Sequence, residues 1–158
     1  MNNEQEIIQN LFDSDLVFYK PKVENYTELF TMMSKELMKR SLVKEGFLDS
    51  ILLREENHPT AIPSEFVNFA IPHTSPEYVL ENRICTIVLE KPMKFQNMVD
   101  KSLDVEVEIV FMILITDGNK HVKALSKVMD LVEDREYVDK LLNSSSKTNL
   151  QDVLSQKY

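Results

Sequence analysis

Glycine is scarce in this chain of 158 residues, which contains only Gly46 and Gly118. Phosphate cradles such as the P-loop and the dinucleotide-binding fingerprint need several glycines at fixed spacing, because the backbone must approach the phosphate closely. Two isolated glycines cannot supply that spacing. The sequence therefore excludes a nucleotide-binding site of the glycine-rich type.

Cysteine and long apolar runs are also scarce. Cys85 is the only cysteine, so the chain cannot form an internal disulfide, which fits a reducing compartment. The longest apolar run, at residues 109–115, is far shorter than a membrane span. The N-terminal residues are polar and acidic, unlike a secretory signal. These features predict a cytoplasmic protein.

Positive charge is in deficit, with 18 basic residues against 26 acidic ones and a net charge of -8. A nucleic-acid-binding protein needs a basic face, and an anionic membrane attracts basic segments. We therefore expect neither nucleic acid nor a membrane surface to be the main partner. The length, with 43% hydrophobic residues and no internal repeat, predicts one globular domain over residues 1–158.

The order of strand-like and helix-like patterns predicts an α/β fold, a three-layer sandwich in which helices flank a mixed β-sheet. The run at 105–115 becomes continuously apolar, which indicates a central strand covered on both faces. The predicted elements are a partly helical lead-in at 1–14, strands at 16–19, 67–71, 83–89 and 105–115, a connection at 91–104, and helices at about 25–40, 47–57, 76–80, 119–132, 134–142 and 148–157.

One histidine, His73, stands between a predicted strand and a predicted helix. Pro72 has no N–H and ends the strand, while Thr74 and Glu77 fit a capping box, with Pro76 tolerated in the first turn. Unpaired N–H groups at a helix start favour an anion, so a histidine here is well set to carry a phosphate. The alternative is a histidine that merely caps a turn, and residue chemistry alone leaves both interpretations open.

Two further residues complete a possible phosphoryl-transfer site. His121 follows another strand-to-helix turn, with Asn119 as the predicted N-cap, and helix starts favour neutral imidazoles. Arg54 offers a planar, permanently charged fork for phosphoryl oxygens. The alternatives are a solvated first-turn histidine and a surface ion pair of Arg54 with Glu55 or Glu56. The three histidines and one cysteine do not have zinc-site spacing, and we expect Cys85 to be buried and inert.

Four ordered segments resemble one protein family. Residues 70–74, Ala-Ile-Pro-His-Thr, resemble the phosphorylation-site motif of enzyme IIA domains of the bacterial sugar phosphotransferase system, mannitol/fructose class. Arg54-Glu55 followed by Pro59-Thr60 resembles most closely the galactitol-type branch. The Lys91-Pro92 pair with Phe95, and the segment 119–125, are similar to later parts of the family. The resemblance covers about residues 15–142, which we take as the core of the domain.

The resemblance implies a phosphocarrier. His73 would accept a phosphoryl group from phosphorylated HPr and pass it to a cysteine of enzyme IIB, which phosphorylates a galactitol-like or related sugar during uptake by enzyme IIC. His121 and Arg54 would flank the phosphate, and Thr60 and Thr74 would support the loop or the phosphate. No metal or organic cofactor is expected.

The resemblance also leaves a second function open, a regulatory module whose phosphorylation state controls a partner protein. Ala61 stands where the family often has glycine, and the second histidine is not constant in the galactitol-type branch. No attached IIB-like or DNA-binding segment is recognised, so we expect a free-standing subunit. That expectation does not separate transport from regulation.

Overall fold

The computed structural model describes residues 11–157, which form a five-stranded mixed sheet with helices on both faces. The α/β fold predicted from the sequence is thus confirmed. Within residues 11–157, none of the helices has the length and apolar character that a membrane span requires. The elements are β1 (Phe12–Tyr19), α1 (Tyr26–Lys39), α2 (Phe47–Asn57), β2 (Ala61–Ile62), β3 (Phe69–Ala70), a 3-10 helix (Pro76–Tyr78), β4 (Arg83–Gln96), β5 (Asp104–Leu114), α3 (Gly118–Glu133), α4 (Arg135–Leu142) and α5 (Lys147–Lys157).

The strands lie in the order β1-β4-β5-β3-β2. β4 and β5 form a long antiparallel hairpin at the centre, β1 runs parallel to β4, and β3 runs parallel to β5. The short β2 pairs antiparallel with β3. Because β3 and β5 run in the same direction, the chain leaves both strands at the same end of the sheet.

The sheet separates two apolar cores. One core contains side chains from α3, α4 and α5, and the other contains side chains from α1 and α2. β5 supplies alternate residues to each core, which explains its continuous apolar sequence and confirms a central strand covered on both faces. Ile109, Phe111 and Ile113 face the first core, and Val110, Met112 and Leu114 face the second.

The first strand begins earlier than the sequence suggests. Phe12 is buried and pairs with Ile84, so assigning residues 12–14 to a polar lead-in was wrong; residues 1–10 lie outside the described part of the chain. The pairing is irregular between Phe12 and Val17, which accommodates polar residues inside the strand. The Nε of Arg83 donates to a carboxylate oxygen of Asp13 at 3.2 Å. The polar residue Asp13 is thus accommodated in β1 because it pairs with Arg83 of β4.

Half of the predicted connection at 91–104 is strand. β4 continues through Pro92 to Gln96, and only residues 97–103 connect it to β5. The register shifts between Val88 and Met93, so Pro92 lies where the ladder is interrupted and its missing N–H costs no paired hydrogen bond. Beyond the shift, Met93 and Phe95 are buried in the second core. Proline therefore marks a bulge here and not the end of the strand.

Candidate active site

The parallel pairing of β3 with β5 brings two histidines together. His73 follows β3, and the Pro72 carbonyl accepts a hydrogen bond from the Ile113 N–H of β5 at 3.0 Å. α3 follows β5 and carries His121 in its first turn. The ring centroids of His73 and His121 lie 4.4 Å apart, with their planes inclined by 55°. The two histidines that the sequence analysis assigns to one phosphoryl-transfer site are thus in contact.

The local backbone determines which nitrogen of His73 is free. Its Nδ1 lies 2.7 Å from the carbonyl oxygen of Ile71. A carbonyl can only accept, so Nδ1 carries the proton and donates, which leaves the lone pair on Nε2. Burial lowers the pKa of His73 to about 4; the Ile71 hydrogen bond opposes this shift, while His121 and Arg54 add to it. The ring is therefore a neutral imidazole near pH 7 with a nucleophilic Nε2.

The loop after His73 differs from the predicted capping box. The hydroxyl of Thr74 is hydrogen-bonded to that of Ser50 in α2, and Thr74 is buried. Ser75 is the N-cap of a 3-10 helix of only three residues and makes no side-chain capping bond, although Pro76 does lie in the first turn. The capping box of Thr74 with Glu77 and the helix at 76–80 were therefore wrong. Thr74 anchors the loop to α2 instead.

His121 is held by a helix that starts at a different residue from the one predicted. Asp117 is the N-cap of α3, and its carboxylate accepts the Asn119 N–H at 2.9 Å, so Asn119 lies inside the helix. Burial lowers the pKa of His121, and the charge of Arg54 adds to the effect. The Nε2 atom of His121 is buried and has no hydrogen-bond partner within the described residues. A bound group with a complementary atom would satisfy it.

Arg54 lies in the last turn of α2 and is exposed. Within residues 11–157, no carboxylate forms an ion pair with its guanidinium. The alternative interpretation, a surface ion pair with Glu55 or Glu56, is therefore not what the structure contains. The charge of Arg54 acts on both imidazoles and lowers the pKa of each.

Two cavities share Arg54, His73 and His121 as lining residues. The smaller, about 210 Å³, is bounded mainly by residues 74–76 and by Ile113, Ile115 and Gly118. The larger, about 470 Å³, is bounded mainly by residues 57–60 and by Met98, Val99 and Lys101. A cavity of about 690 Å³ lies elsewhere, between β1 and α1, but no histidine or cysteine lines it. Two histidines and an arginine therefore meet at the wall that the first two cavities share.

Thr60 lines the larger cavity, but its hydroxyl and N–H are both engaged with Glu55. Its hydroxyl donates to Oε1 of Glu55 at 2.6 Å, and its N–H donates to Oε2 of the same carboxyl at 2.7 Å. Its carbonyl accepts the Ile71 N–H at 3.2 Å. Thr60 is 2% exposed, so it supports the loop beneath His73 and its hydroxyl is engaged with Glu55.

Glu55 is the residue that the sequence argument missed. It is only 3% exposed, and burial raises its pKa to about 7, against the opposing effects of the Thr60 hydrogen bonds and of Arg54. A signal was available, because Phe47, Ile51 and Glu55 follow one another at four-residue intervals and are the buried residues of α2. The spacing places the carboxyl on the inner face of the helix.

The described residues do not support metal-binding or thiol chemistry at the candidate site. Among residues 11–157, no three His, Cys, Asp or Glu side chains converge as a metal site would require. Cys85 is fully buried in β4, and burial raises the pKa of its thiol, so it is not activated as a nucleophile. The reactive group best prepared for chemistry is therefore the His73 imidazole.

Comparisons with known proteins bear on the fold and the family of the chain. No curated protein sequence matches the chain. Its fold is similar to the mannitol-specific cryptic phosphotransferase enzyme IIA CmtB from Escherichia coli, with 21% identity, a TM-score of 0.72, and coverage of 95% of this chain and 99% of that chain. It is also similar to enzyme IIAMTL from Escherichia coli in its complex with phosphorylated enzyme IIBMTL, with 18% identity, a TM-score of 0.71, and coverage of 90% and 96%.

A third solved structure, the nitrogen regulatory protein IIA-Ntr from Neisseria meningitidis, is 17% identical, with a TM-score of 0.68 and coverage of 93% of this chain and 98% of that chain. Likeness at this level of identity shows the shared fold. The family model described as phosphoenolpyruvate-dependent sugar phosphotransferase system, EIIA 2, matches residues 10–157, which is nearly the whole chain. The chain therefore belongs to the EIIA 2 family of the phosphoenolpyruvate-dependent sugar phosphotransferase system.

Proposed function

We propose that this chain is a cytoplasmic phosphocarrier of sugar uptake, in which His73 takes a phosphoryl group from phosphorylated HPr and passes it to a cysteine of enzyme IIB. Domains of this family pass a phosphoryl group to enzyme IIB. Enzyme IIB would in turn phosphorylate a sugar, galactitol or a related one, as enzyme IIC imports it. The observation that carries the proposal is the neutral His73 ring, whose Nδ1–H is held by the Ile71 carbonyl beside His121 and Arg54.

The proposed transfer has two displacement steps. First, the lone pair of His73 Nε2 attacks the phosphorus of the donor phosphohistidine, so that a P–N bond to His73 forms as the donor P–N bond breaks and its imidazole leaves. Second, the thiolate of the enzyme IIB cysteine attacks the same phosphorus, forming a P–S bond while the bond to Nε2 breaks. The Nδ1–H of His73 keeps its hydrogen bond to the Ile71 carbonyl in both steps.

The neighbours of His73 have distinct proposed roles. The guanidinium of Arg54 stabilises the charge on the phosphoryl oxygens, and the unpartnered Nε2 of His121 donates to one of them when it carries a proton. Thr60 and Thr74 support the two sides of the loop, through Glu55 and Ser50 respectively. Neither threonine is needed as a direct ligand of the phosphate.

Labelling from phosphoenolpyruvate through enzyme I and HPr tests the proposal. The wild-type chain should become labelled, and His73→Gln should not, because glutamine has no nitrogen that can displace the donor imidazole. Ser126→Ala, an exposed change on α3, serves as a control that should label like the wild type. Absence of label on the wild type, under conditions that charge a known enzyme IIA, would reject a phosphocarrier.

A regulatory module is a second candidate function, favoured by the similarity of the fold to nitrogen regulatory protein IIA-Ntr. Such a module would accept label on His73 but would not pass it onward. Adding enzyme IIB proteins to the labelled chain separates the two functions. Label that moves to an IIB cysteine and then to a sugar supports transport, whereas label that stays on His73 with every IIB tested supports regulation.

A further inference from the structure

A continuous chain of hydrogen bonds joins Glu55 to the His73 ring. The two carboxyl oxygens of Glu55 receive the N–H and the hydroxyl of Thr60, at 2.7 and 2.6 Å. The Thr60 carbonyl receives the Ile71 N–H at 3.2 Å, and the Ile71 carbonyl receives the Nδ1–H of His73 at 2.7 Å. Four residues thus connect a buried carboxyl to the ring whose nitrogen is proposed to react.

The middle of this chain lies between β2 on one side and the β3–β5 pairing on the other. β2 and β3 pair at only two positions, Ala61 with Ala70 and Ile62 with Phe69, and the Ile71 N–H is bonded beyond that ladder. The Ile71 carbonyl is therefore held from one side by β5, through the Ile113 N–H bonded to the Pro72 carbonyl. From the other side it is held by the segment at Thr60, which Glu55 holds through two bonds. A carboxyl that is 3% exposed and has two short bonds is a rigid anchor for that segment.

We propose that Glu55 is a positioning residue for phosphoryl transfer: through Thr60 and Ile71 it sets the tautomer and orientation of the His73 ring, so that Nε2 is the attacking atom. This inference rests on the proposed function for its catalytic consequence, although the effect on the ring does not depend on it. Glu55 touches neither the ring nor the cavity shared with His121. It acts on the reaction only through the backbone that it holds.

The geometry also predicts which replacement is tolerated. A carboxylate accepts both bonds from Thr60, while a protonated carboxyl accepts the N–H on one oxygen and donates to the hydroxyl with the other. Glutamine reproduces the second arrangement, with its carbonyl accepting and its amide donating. Leucine has a similar size but makes neither bond. Glu55→Gln should therefore keep the ring as it is, and Glu55→Leu should release it.

Nitrogen-15 NMR of the unphosphorylated chain reads the ring directly. The wild type and Glu55→Gln should both show His73 with a protonated Nδ1 and an unprotonated Nε2. Glu55→Leu should show a mixture of the two neutral tautomers, because the Ile71 carbonyl is then held only from the β5 side. Glu56→Leu, the same change at the exposed neighbouring glutamate, is the matched control and should match the wild type.

The rate of labelling by phosphorylated HPr is the second readout. Glu55→Leu should label about tenfold more slowly or worse, the range typical when the partner that orients a histidine is removed. Glu55→Gln and Glu56→Leu should stay close to the wild type. Thr60→Val, which removes only the hydroxyl bond, should cause a smaller slowing that Thr60→Ser restores.

The outcomes separate this inference from the proposed function. A folded Glu55→Leu variant with the wild-type tautomer and labelling rate would overturn the positioning role. If that variant does not fold, a Thr60→Val chain identical to the wild type in both readouts would overturn it equally. A wild type that is never labelled, but whose tautomer still depends on Glu55, would leave the positioning role standing and reject the phosphocarrier.

Discussion

At the scale of single residues, the site keeps two imidazoles uncharged beside a permanent cation. Burial is the largest cause of the low pKa of His73 and His121, and the charge of Arg54 adds to it in both cases. An uncharged ring has the lone pair that attack on phosphorus requires. Under the proposed function, the same cation that lowers each pKa would stabilise the negatively charged phosphoryl group.

Replacing Arg54 should change both histidines. In Arg54→Gln the pKa of His73 should rise above about 4, and the pKa of His121 should rise as well, because a nearby positive charge no longer opposes protonation. Proton NMR titration of the ring Cε1–H signals measures both values. Arg40→Gln, at an arginine paired with Glu36 on α1 at 2.9 Å, is the control. Unchanged titrations in Arg54→Gln would remove Arg54 from the electrostatics of the site.

Removing His121 should slow the reaction without preventing it. His121→Ala retains His73 and its bond to Ile71, so label should still be accepted, at a rate lower by about a hundredfold if one donor to the phosphoryl oxygens is lost. Rapid-quench labelling from phosphorylated HPr measures the rate, with Ser126→Ala on the same helix as control. A rate equal to that of the wild type would exclude His121 from the transfer.

At the scale of elements, the start of α2 and the loop after His73 are built against each other. The Lys44 N–H donates to the Tyr78 carbonyl at 2.9 Å, and the Leu80 N–H donates to the Leu42 carbonyl at 2.9 Å. Gly46, the N-cap of α2, has a φ of +94°, and a Cβ there would lie 2.9 Å from the Tyr78 ring. Glycine at this position satisfies both the left-handed backbone and the close approach of the ring.

The two glycines should therefore respond differently to alanine. Gly46→Ala should lower the free energy of unfolding by about 1–3 kcal/mol, because of the positive φ and the clash with Tyr78. Gly118→Ala, where a Cβ meets nothing within 4 Å, should change it by about 0.5 kcal/mol or less. Urea denaturation at one pH measures both. Equal effects at the two positions would contradict the argument from the Gly46 backbone.

The sequence predicted elements well where one local rule acted alone. The helix predicted from about residue 25 is α1, which Asn25 caps by accepting the Glu28 N–H, and the apolar run of β5 is a central strand. It failed where a tertiary contact overrode the local rule. Pro92 lies within β4 because a bulge accommodates it, and Thr74 bonds to Ser50 in place of capping a helix. The bulge depends on the pairing of β4 with β5, and Ser50 is far from Thr74 in sequence. Local sequence patterns therefore could not reveal either contact.

At the scale of the whole molecule, two buried groups give opposite pH dependences of stability. The pKa of Glu55 is raised from 4.5 to about 7, so its contribution is fully present below pH 4.5 and is lost as the pH rises through about 7. The pKa of His73 is lowered from 6.5 to about 4, so its contribution is present above pH 6.5 and is lost as the pH falls towards 4. Tyr26 and Arg54 are the other titratable or charged groups that interact with Glu55.

Replacing either Glu55 or His73 should reveal how the other residue makes the unfolding free energy depend on pH. Between pH 4.5 and 7, the unfolding free energy of Glu55→Gln relative to the wild type should rise by about 3 kcal/mol at most, because only the wild type loses the Glu55 contribution. That of His73→Gln relative to the wild type should fall as the pH rises from 4 to 6.5. Denaturant titrations across this range measure both, and slopes of the same sign would contradict the two assignments.

The site was predictable from sequence to the extent that single residues carry its chemistry. His73, His121 and Arg54 were identified from residue types, turn signals and a family resemblance, and they line the same pair of cavities. Glu55 is not among the site residues predicted by the sequence analysis, which names it only as a possible partner of Arg54 in a surface ion pair. Its burial depends on Thr60 folding back over the end of α2, which only the tertiary structure reveals.

The parallel pairing of β3 with β5 also determines when, during synthesis of the chain, the surroundings of His73 are complete. β3 is synthesised before β5 and α3. A nascent chain that ends shortly after β3 therefore contains His73 but lacks both β5, which pairs with β3, and His121, which contacts the His73 ring. In that interval the imidazole is solvated and titrates like that of any unfolded peptide. Under the proposed function, the buried and uncharged arrangement of the His73 ring therefore arises only once β5 and α3 have been translated and packed.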